Sequence, residues 1–180
     1  MRRFIIGSLG ALALAAGVIW WLMDDRRGVA WAVAFVRSRF RDVTHLSIQA
    51  LSSWLRDSQR EAPQLLDVRS QVEFEVSHLP GALRIDCRAP VSEGQGVLDQ
   101  RRPVVVYCSA GYRSSIVARK LQQAGFAKVL NLEGGIFAWG NAGLPLERNG
   151  EPAHAVHPCL RLFSRMVKSR HAGLDAGTTP

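Results

Sequence analysis

The residues best placed to do chemistry lie between Pro103 and Leu121, PVVVYCSAGYRSSIVARKL. Cys108 follows four β-branched or aromatic residues, Val104 to Tyr107, a run that reads as a short strand buried on both faces. A small loop comes next, Ser109-Ala110-Gly111-Tyr112-Arg113. Ser114 and Ser115 then open a segment of helical periodicity through Ile116, Val117, Lys120 and Leu121. A thiol at such a strand-to-helix junction sits where backbone N–H groups converge without intrahelical partners. Those donors and the positive helix end favour an anion and are expected to stabilise a thiolate. The predicted chemistry is nucleophilic attack by sulfur, which convergent amides support without a metal or cofactor.

The other cysteines, Cys87 and Cys159, make an odd total of three with no CxxC pair, which argues against a disulfide framework and a zinc site. The elements around Cys108 follow from patterning. Ser47 is a candidate N-cap for a helix with an apolar stripe of Ile48, Leu51, Trp54 and Leu55. Leu65 to Val68 reads as a strand, Gln71 to Val76 as a short helix, Ser77 to Ala82 as a turn, and Leu83 to Asp86 as another strand. Residues 88–102, with Gly94 and Gly96, read as loop. Gly125 signals a helix C-terminus, Lys128 to Leu132 a strand, Gly134-Gly135 a turn and Ile136 to Trp139 a short helix. Strands alternating with helices predict an α/β fold with a mainly parallel sheet. Sites in such sheets form beyond the carboxyl ends of the strands, which is where Cys108 falls.

The net charge of +8 lies mostly in the flanks. Residues 1–42 carry 7 arginines against 3 aspartates, and residues 151–180 carry 4 basic against 2 acidic residues. Placed beside an apolar N-terminus, this excess fits anionic lipid better than nucleic acid, which is not expected as a partner. Phe4 to Met23 is twenty residues without a charge, enough at about 1.5 Å each to cross a hydrocarbon core of about 30 Å. Trp20 and Trp21 mark an interfacial end. A cleaved signal peptide ending near Ala13-Leu14-Ala15 is the rival reading, but it would leave Val18 to Leu22 as an apolar new terminus. The expectation is therefore a single-pass anchor over 1–28 and an amphipathic basic linker over 29–42. A domain over 43–150 and a basic tail over 151–180 follow. Arginines 26, 27, 37, 39 and 41 outnumber Arg2 and Arg3 and place the domain on the cytoplasmic side, against the objection of a translocated two-arginine terminus. Val29, Val33, Val36 and Phe40 share one helical face, which would lie either on lipid or on the domain. The same choice applies to Leu160, Phe163 and Val167, and residues 172–180 are expected to be disordered.

Three segments taken together, LLDVRSQVEFEVSHLPGA, VVVYCSAGYRSS and LQQAGFAKVLNLEGGIFAWGNAGLPL, resemble the single-domain rhodanese family in order and spacing over residues 43–147. The resemblance implies a three-layer α/β domain around a five-stranded sheet. It also implies that Cys108 accepts sulfane sulfur as a persulfide and passes it to a thiol, cyanide or protein acceptor. Ser109, Ala110, Gly111, Tyr112, Arg113 and Ser114 would then cradle the sulfur with their N–H groups, and Arg113 would steer anionic substrates. The chain departs from the family at Ser77, where glycine usually precedes His78. In a subset of bacterial relatives the same ending is followed by a polar turn and Val-His-Pro, here Val156-His157-Pro158, which implies that residues 151–158 pack on the domain.

Two rivals stand beside this reading. Phosphatases and arsenate reductases of related fold place five residues between cysteine and arginine, whereas four intervene here, a ring suited to one sulfur atom; Tyr107 also stands where they carry histidine. A catalytically idle, membrane-tethered binding module would have no need of Cys108, Gly111 and Arg113 together. Thiosulfate, a low-molecular persulfide and a protein persulfide are all candidate donors. Arg113 is the only full charge in the loop and Tyr112 offers apolar contact, which disfavours the thiosulfate dianion. Asp67 and Arg69 are read as structural, Arg69 pairing with Glu73 or Glu75. His78 is read as a satisfied turn residue, Glu133 as a brace for the loop or a solvated carboxylate, and Cys87 as a buried or resolving thiol. Cys159 and His157 are left without a placement.

Overall fold

Strand β4 (Val104–Tyr107), fully buried, carries Cys108 at its carboxyl end in the computed structural model, which describes residue 17 and residues 26–167. Four further strands, β1 (Thr44–Leu46), β2 (Gln64–Asp67), β3 (Leu83–Arg84) and β5 (Val129–Leu132), join it in one parallel sheet ordered β1-β5-β4-β2-β3. The strand pleat sorts the core into two sides. Val105 and Tyr107 pack with Leu51, Trp54 and Phe137 on one face, while Val104, Val106 and Cys108 pack with Leu66, Ala118 and Leu121 on the other. The thiol therefore points to the side of the sheet covered by the helix that follows it.

The described helices are α1 (Arg27–Arg39), α2 (Ile48–Arg56), α3 (Gln71–Val76), α4 (Val91–Val97), α5 (Tyr112–Gln123) and α6 (Gly135–Asn141). The predicted cap of α2 is in place: Ser47 Oγ accepts from Ala50 N–H at 3.2 Å, and Leu51 and Trp54 are buried. Helix α3 spans the predicted residues and closes a capping box in which Ser70 and Glu73 bond reciprocally. The loop expected over 88–102 instead contains α4. Its glycines argue against a helix by propensity, but packing overrides them, since a Cβ on Gly94 would lie 3.2 Å from Leu121 Cδ2. Helix α5 also starts two residues before the expected serine pair, because Gly111 at φ +107° turns the chain directly into it.

Of the two readings for residues 29–40, the structure takes the packed one. Val29, Val36 and Phe40 of and after α1 are buried against the domain, and Arg37 donates two parallel hydrogen bonds to Glu133, the second at 2.8 Å. Glu133 is thus neither a brace for the cysteine loop nor a solvated carboxylate; it ties α1 to the end of β5. Among the described residues no helix is long and apolar enough to cross a membrane, and the expected span over 4–23 lies outside them apart from Gly17.

After α6 the chain forms an antiparallel hairpin, β6 (Leu146–Arg148) and β7 (Glu151–Ala153), turning through Asn149 and Gly150 at φ +52° and +81°, as a two-residue hairpin turn requires. The tail then packs on the domain as expected: Val156 is fully buried against Gly140. A 3₁₀ helix over Arg161–Met166 ends in buried Met166 and Val167, and Asn141 Nδ2 donates to Met166 O at 2.7 Å. Ser77, the departure from family glycine, has an extended φ of −174° that any residue adopts; its hydroxyl donates to Ala155 O at 2.5 Å and so anchors the tail. Residues 172–180 lie outside the described part.

Candidate active site

The loop after β4 folds around the sulfur because its carbonyls are drawn away from it. Ile136 N–H donates to Cys108 O at 2.9 Å and Phe137 N–H to Ser109 O at 3.1 Å, so the first turn of α6 binds the outer side of the loop. This contact needs glycine. A Cβ on Gly135 would stand 2.1 Å from Cys108 O, and Gly135 itself has φ +51°. The double glycine, expected as a turn, is the seat on which the cysteine loop rests. On the inner side, Gly111 N–H donates to Cys108 Sγ at 3.2 Å. The first intrahelical bond of α5 runs from Ser115 N–H to Gly111 O at 3.2 Å, so by helix geometry the N–H groups before Ser115 have no acceptor within the helix.

Ser114 lies in the buried first turn, with Oγ 3.4 Å from Cys108 Sγ and 2.6 Å from Asn131 Oδ1. One hydroxyl proton can serve only one of them. A chain of contacts decides which: His45 Nε2 donates to Phe40 O at 3.0 Å, leaving Nδ1 to accept from Asn131 Nδ2 at 3.1 Å and Asn131 Oδ1 to accept from Ser114. The Ser114 oxygen then turns a lone pair toward the thiol, and rotation of the hydroxyl would supply a donor once the sulfur is charged.

Arg113, the only full charge in the loop, is opposed by a carboxylate from outside it. Its guanidinium donates to both Glu73 oxygens at 2.8 and 2.9 Å and to Ser109 Oγ at 2.8 Å, while Ser109 Oγ donates to Glu73 Oε1 at 2.9 Å. Glu73 also accepts from Ser70 N–H and Ser70 Oγ. Burial pushes the Glu73 carboxyl up, but the Arg113 hydrogen bonds and charge, with the Ser70 donors, outweigh it and hold it well below the usual carboxylate range. Burial lowers Arg113, and Glu73 more than restores it, so its pKa lies above the ordinary arginine value. Glu73 thus sets the shape of the loop, a role the sequence reading missed; the Ser-x-x-Glu spacing of the capping box was the available signal.

Arg69 pairs with Asp67 at 2.6 Å, both side chains fully buried, and with Ser77 O at 2.6 Å, rather than with Glu73 or Glu75. Two positions apart at the carboxyl end of β2, the pair shares a fold of the backbone that helix spacing could not indicate. His78 is satisfied as expected: it stacks on Phe74, reaches Phe74 O at 3.0 Å and lies 3.2 Å from Glu147. Cys87 packs beside the cluster holding Cys108, and burial, then Asp86, push its thiol up. Cys159 proves to be at the site. Held at φ +66°, with its N–H donated to His157 Nδ1 at 3.0 Å, it places Sγ 3.6 Å from Arg113 Nη2.

Cys108 is only 2% exposed, and that residue of surface opens into a cavity of about 400 Å³ lined also by Ala110, Tyr112, Arg113 and Cys159. Trp31 and Phe35 of α1 stack at 5.5 Å, Phe35 continues onto Tyr112 at 6.2 Å, and Phe40 meets Tyr112 edge-on at 5.2 Å. Of the predicted loop residues, Ser109, Ala110, Tyr112 and Arg113 line the cavity, while Gly111 N–H and Ser114 Oγ contact the sulfur itself.

The family model of the rhodanese-like domain matches residues 51–142, which contain the whole cysteine loop, its α6 seat and Glu73. The chain belongs to the rhodanese-like domain family. A sulfurtransferase of Allochromatium vinosum is 35% identical over 105 residues, covering 58% of this chain and 94% of that protein. The probable adenylyltransferase/sulfurtransferase MoeZ of Mycobacterium tuberculosis is 37% identical over 91 residues, covering 49% of this chain but only 22% of that longer protein. The solution structure of the rhodanese-like domain of the Anabaena protein Alr3790 superposes with a TM-score of 0.54 at 28% identity, covering 59% of this chain and 80% of that one. Helix α1 and the 3₁₀ helix, which wall the cavity, lie outside the stretch that the rhodanese-like model matches.

Proposed function

We propose that this chain is a rhodanese-type sulfurtransferase that takes sulfane sulfur onto Cys108 as a persulfide and delivers it to a thiophilic acceptor. The observation that carries the reading is the Gly111 N–H on Cys108 Sγ, in a loop of four residues between cysteine and arginine and with the loop carbonyls drawn off by α6. In the reaction the Cys108 thiolate attacks the outer sulfur of the donor, the donor's sulfur–sulfur bond breaks, and the persulfide remains beside Gly111 N–H at the start of α5. The acceptor then attacks the terminal sulfur and Cys108 leaves as thiolate. An amide that already points at the sulfur, as Gly111 N–H does, needs no reorganisation as the charge changes. The names of the relatives, both sulfurtransferases in whole or part, support the reaction class. We propose further that residues 4–23 anchor the chain in a membrane with the domain on the cytoplasmic side, a reading supported by the twenty uncharged residues and by the arginines that follow them.

The test is cyanide-trapped turnover. Thiosulfate and small organic sulfane donors are supplied, and thiocyanate is measured for the wild-type chain and for Cys108→Ala. Thiocyanate formed by the first and not by the second is expected. Equal background from both proteins with every donor would instead favour the binding-module reading.

A further inference from the structure

We propose, building on the sulfurtransferase reading, that the donor is an organic sulfane compound with an apolar body, and that α1 and the 3₁₀ helix select for it over inorganic thiosulfate. The cavity above Cys108 is lined by Trp31, Phe35 and Val36 from α1, Tyr112 from the loop, and Phe163 and Met166 from the tail. Among the described residues its single charged lining side chain is Arg113, and Glu73 already neutralises that charge through two hydrogen bonds. A thiosulfate dianion would have to shed water against carbon and find no uncommitted cation, a transfer that costs heavily. A donor of the form R–SO₂–S⁻ or R–S–S⁻ instead places R against the aromatic wall while its outer sulfur meets Cys108. Trp31 and Phe35 are 58% and 45% exposed although they stack in line toward Tyr112, so an apolar R group would cover surface that now faces water.

The walls lie outside the stretch that the family model matches: residues 51–142 supply the floor (Cys108, Ala110, Tyr112, Arg113), and α1 and the 3₁₀ helix come from before and after it. A space of about 400 Å³ admits a phenyl or short alkyl group with room to spare. With a thiosulfonate the balance is simple. The Cys108 thiolate attacks the outer sulfur, the bond between that sulfur and the sulfonyl sulfur breaks, Cys108 keeps the sulfane sulfur as a persulfide anion, and R–SO₂⁻ leaves with the bonding electrons. Cyanide then takes the terminal sulfur as thiocyanate and restores the thiolate.

The experiment uses the full 180-residue chain in lipid nanodiscs, with cyanide as acceptor and Cys108→Ala turnover subtracted. The donors are thiosulfate, the methane-, ethane-, propane- and butanethiosulfonates, and benzenethiosulfonate. Burying a methylene is worth about 0.8 kcal/mol, so kcat/KM is expected to rise about threefold to fourfold per carbon along the alkyl series, with thiosulfate lowest. Trp31→Ala and Phe35→Ala, changes at exposed positions, should lower kcat/KM for benzenethiosulfonate at least fivefold more than for methanethiosulfonate. Thiocyanate formation that is independent of R, or fastest with thiosulfate, overturns the inference and leaves the sulfurtransferase reading standing; a groove filled by another part of the chain would give that result. No thiocyanate from any donor overturns both.

Discussion

Replacing Gly135 by alanine tests the seat beneath the cysteine loop. The new Cβ would stand 2.1 Å from Cys108 O and 2.8 Å from Ser109 O, where ordinary contact begins near 3.4 Å, so the loop or α6 must move by more than an ångström. The left-handed φ of +51° adds roughly 1–2 kcal/mol of backbone strain for a non-glycine residue. Overpacking adds about 1–3 kcal/mol. Weakening the bonds from Ile136 and Phe137 N–H to the loop carbonyls removes about 1 kcal/mol each. The expected loss is about 4 kcal/mol or more, a large share of the stability of a domain this size. Gly143→Ala is the matched control: φ is +70°, yet nothing lies within 4 Å of its added Cβ, so only the strain of about 1–2 kcal/mol applies. Urea unfolding followed by tryptophan fluorescence compares the two, since Trp54 and Trp139 are buried. Where Gly135→Ala still folds, persulfide loading of Cys108 should slow about a hundredfold, the cost of a misplacement near 1 Å. Equal urea midpoints for the two variants would refute the argument.

Glu73 is held below the usual carboxylate range against the upward push of burial, so its ionised form stabilises the fold above its unfolded pKa of about 4.3 and that contribution is lost as pH falls through and below it. The urea midpoint of the wild type should therefore drop more between pH 7 and pH 3.5 than that of Glu73→Gln, which is less stable at pH 7 and flatter toward acid. Phe40→Ala should cost about 3–4 kcal/mol in the same unfolding assay, as for a buried aromatic; no loss would mean that α1 rests on lipid instead of the domain. Ser77→Gly removes the hydroxyl that holds Ala155 O, and hydrogen exchange over residues 151–167 should quicken by about fivefold to tenfold while the sheet is unaffected.

The sequence made the parallel sheet, the cap of α2 and the position of Cys108 legible because each rests on a local pattern: a four-residue apolar run, a serine before an apolar stripe, a thiol between strand and helix. Helix α4 was hidden for the opposite reason. Gly94 and Gly96 lower local propensity, and only contact with Leu121, far along the chain, shows why a glycine suits that place. Arg113 and Glu73 are 40 positions apart, so the neutralisation of the loop's charge could not be seen in either stretch. The same holds for Cys159, brought to Arg113 by a tail whose anchoring depends on Ser77 and Gly140, and for Glu133, whose partner Arg37 is 96 residues away.

The central claim is that Cys108 carries sulfur. The full chain, exposed to an organic sulfane donor, alkylated and digested, should yield by mass spectrometry a peptide containing Cys108 that is heavier by one sulfur atom. The peptides of Cys87 and Cys159 should carry the alkyl group alone after the first turnover, and cyanide added before alkylation should remove the extra sulfur from Cys108. Sulfur found on Cys87 or Cys159 while Cys108 stays a plain thiol would contradict the account.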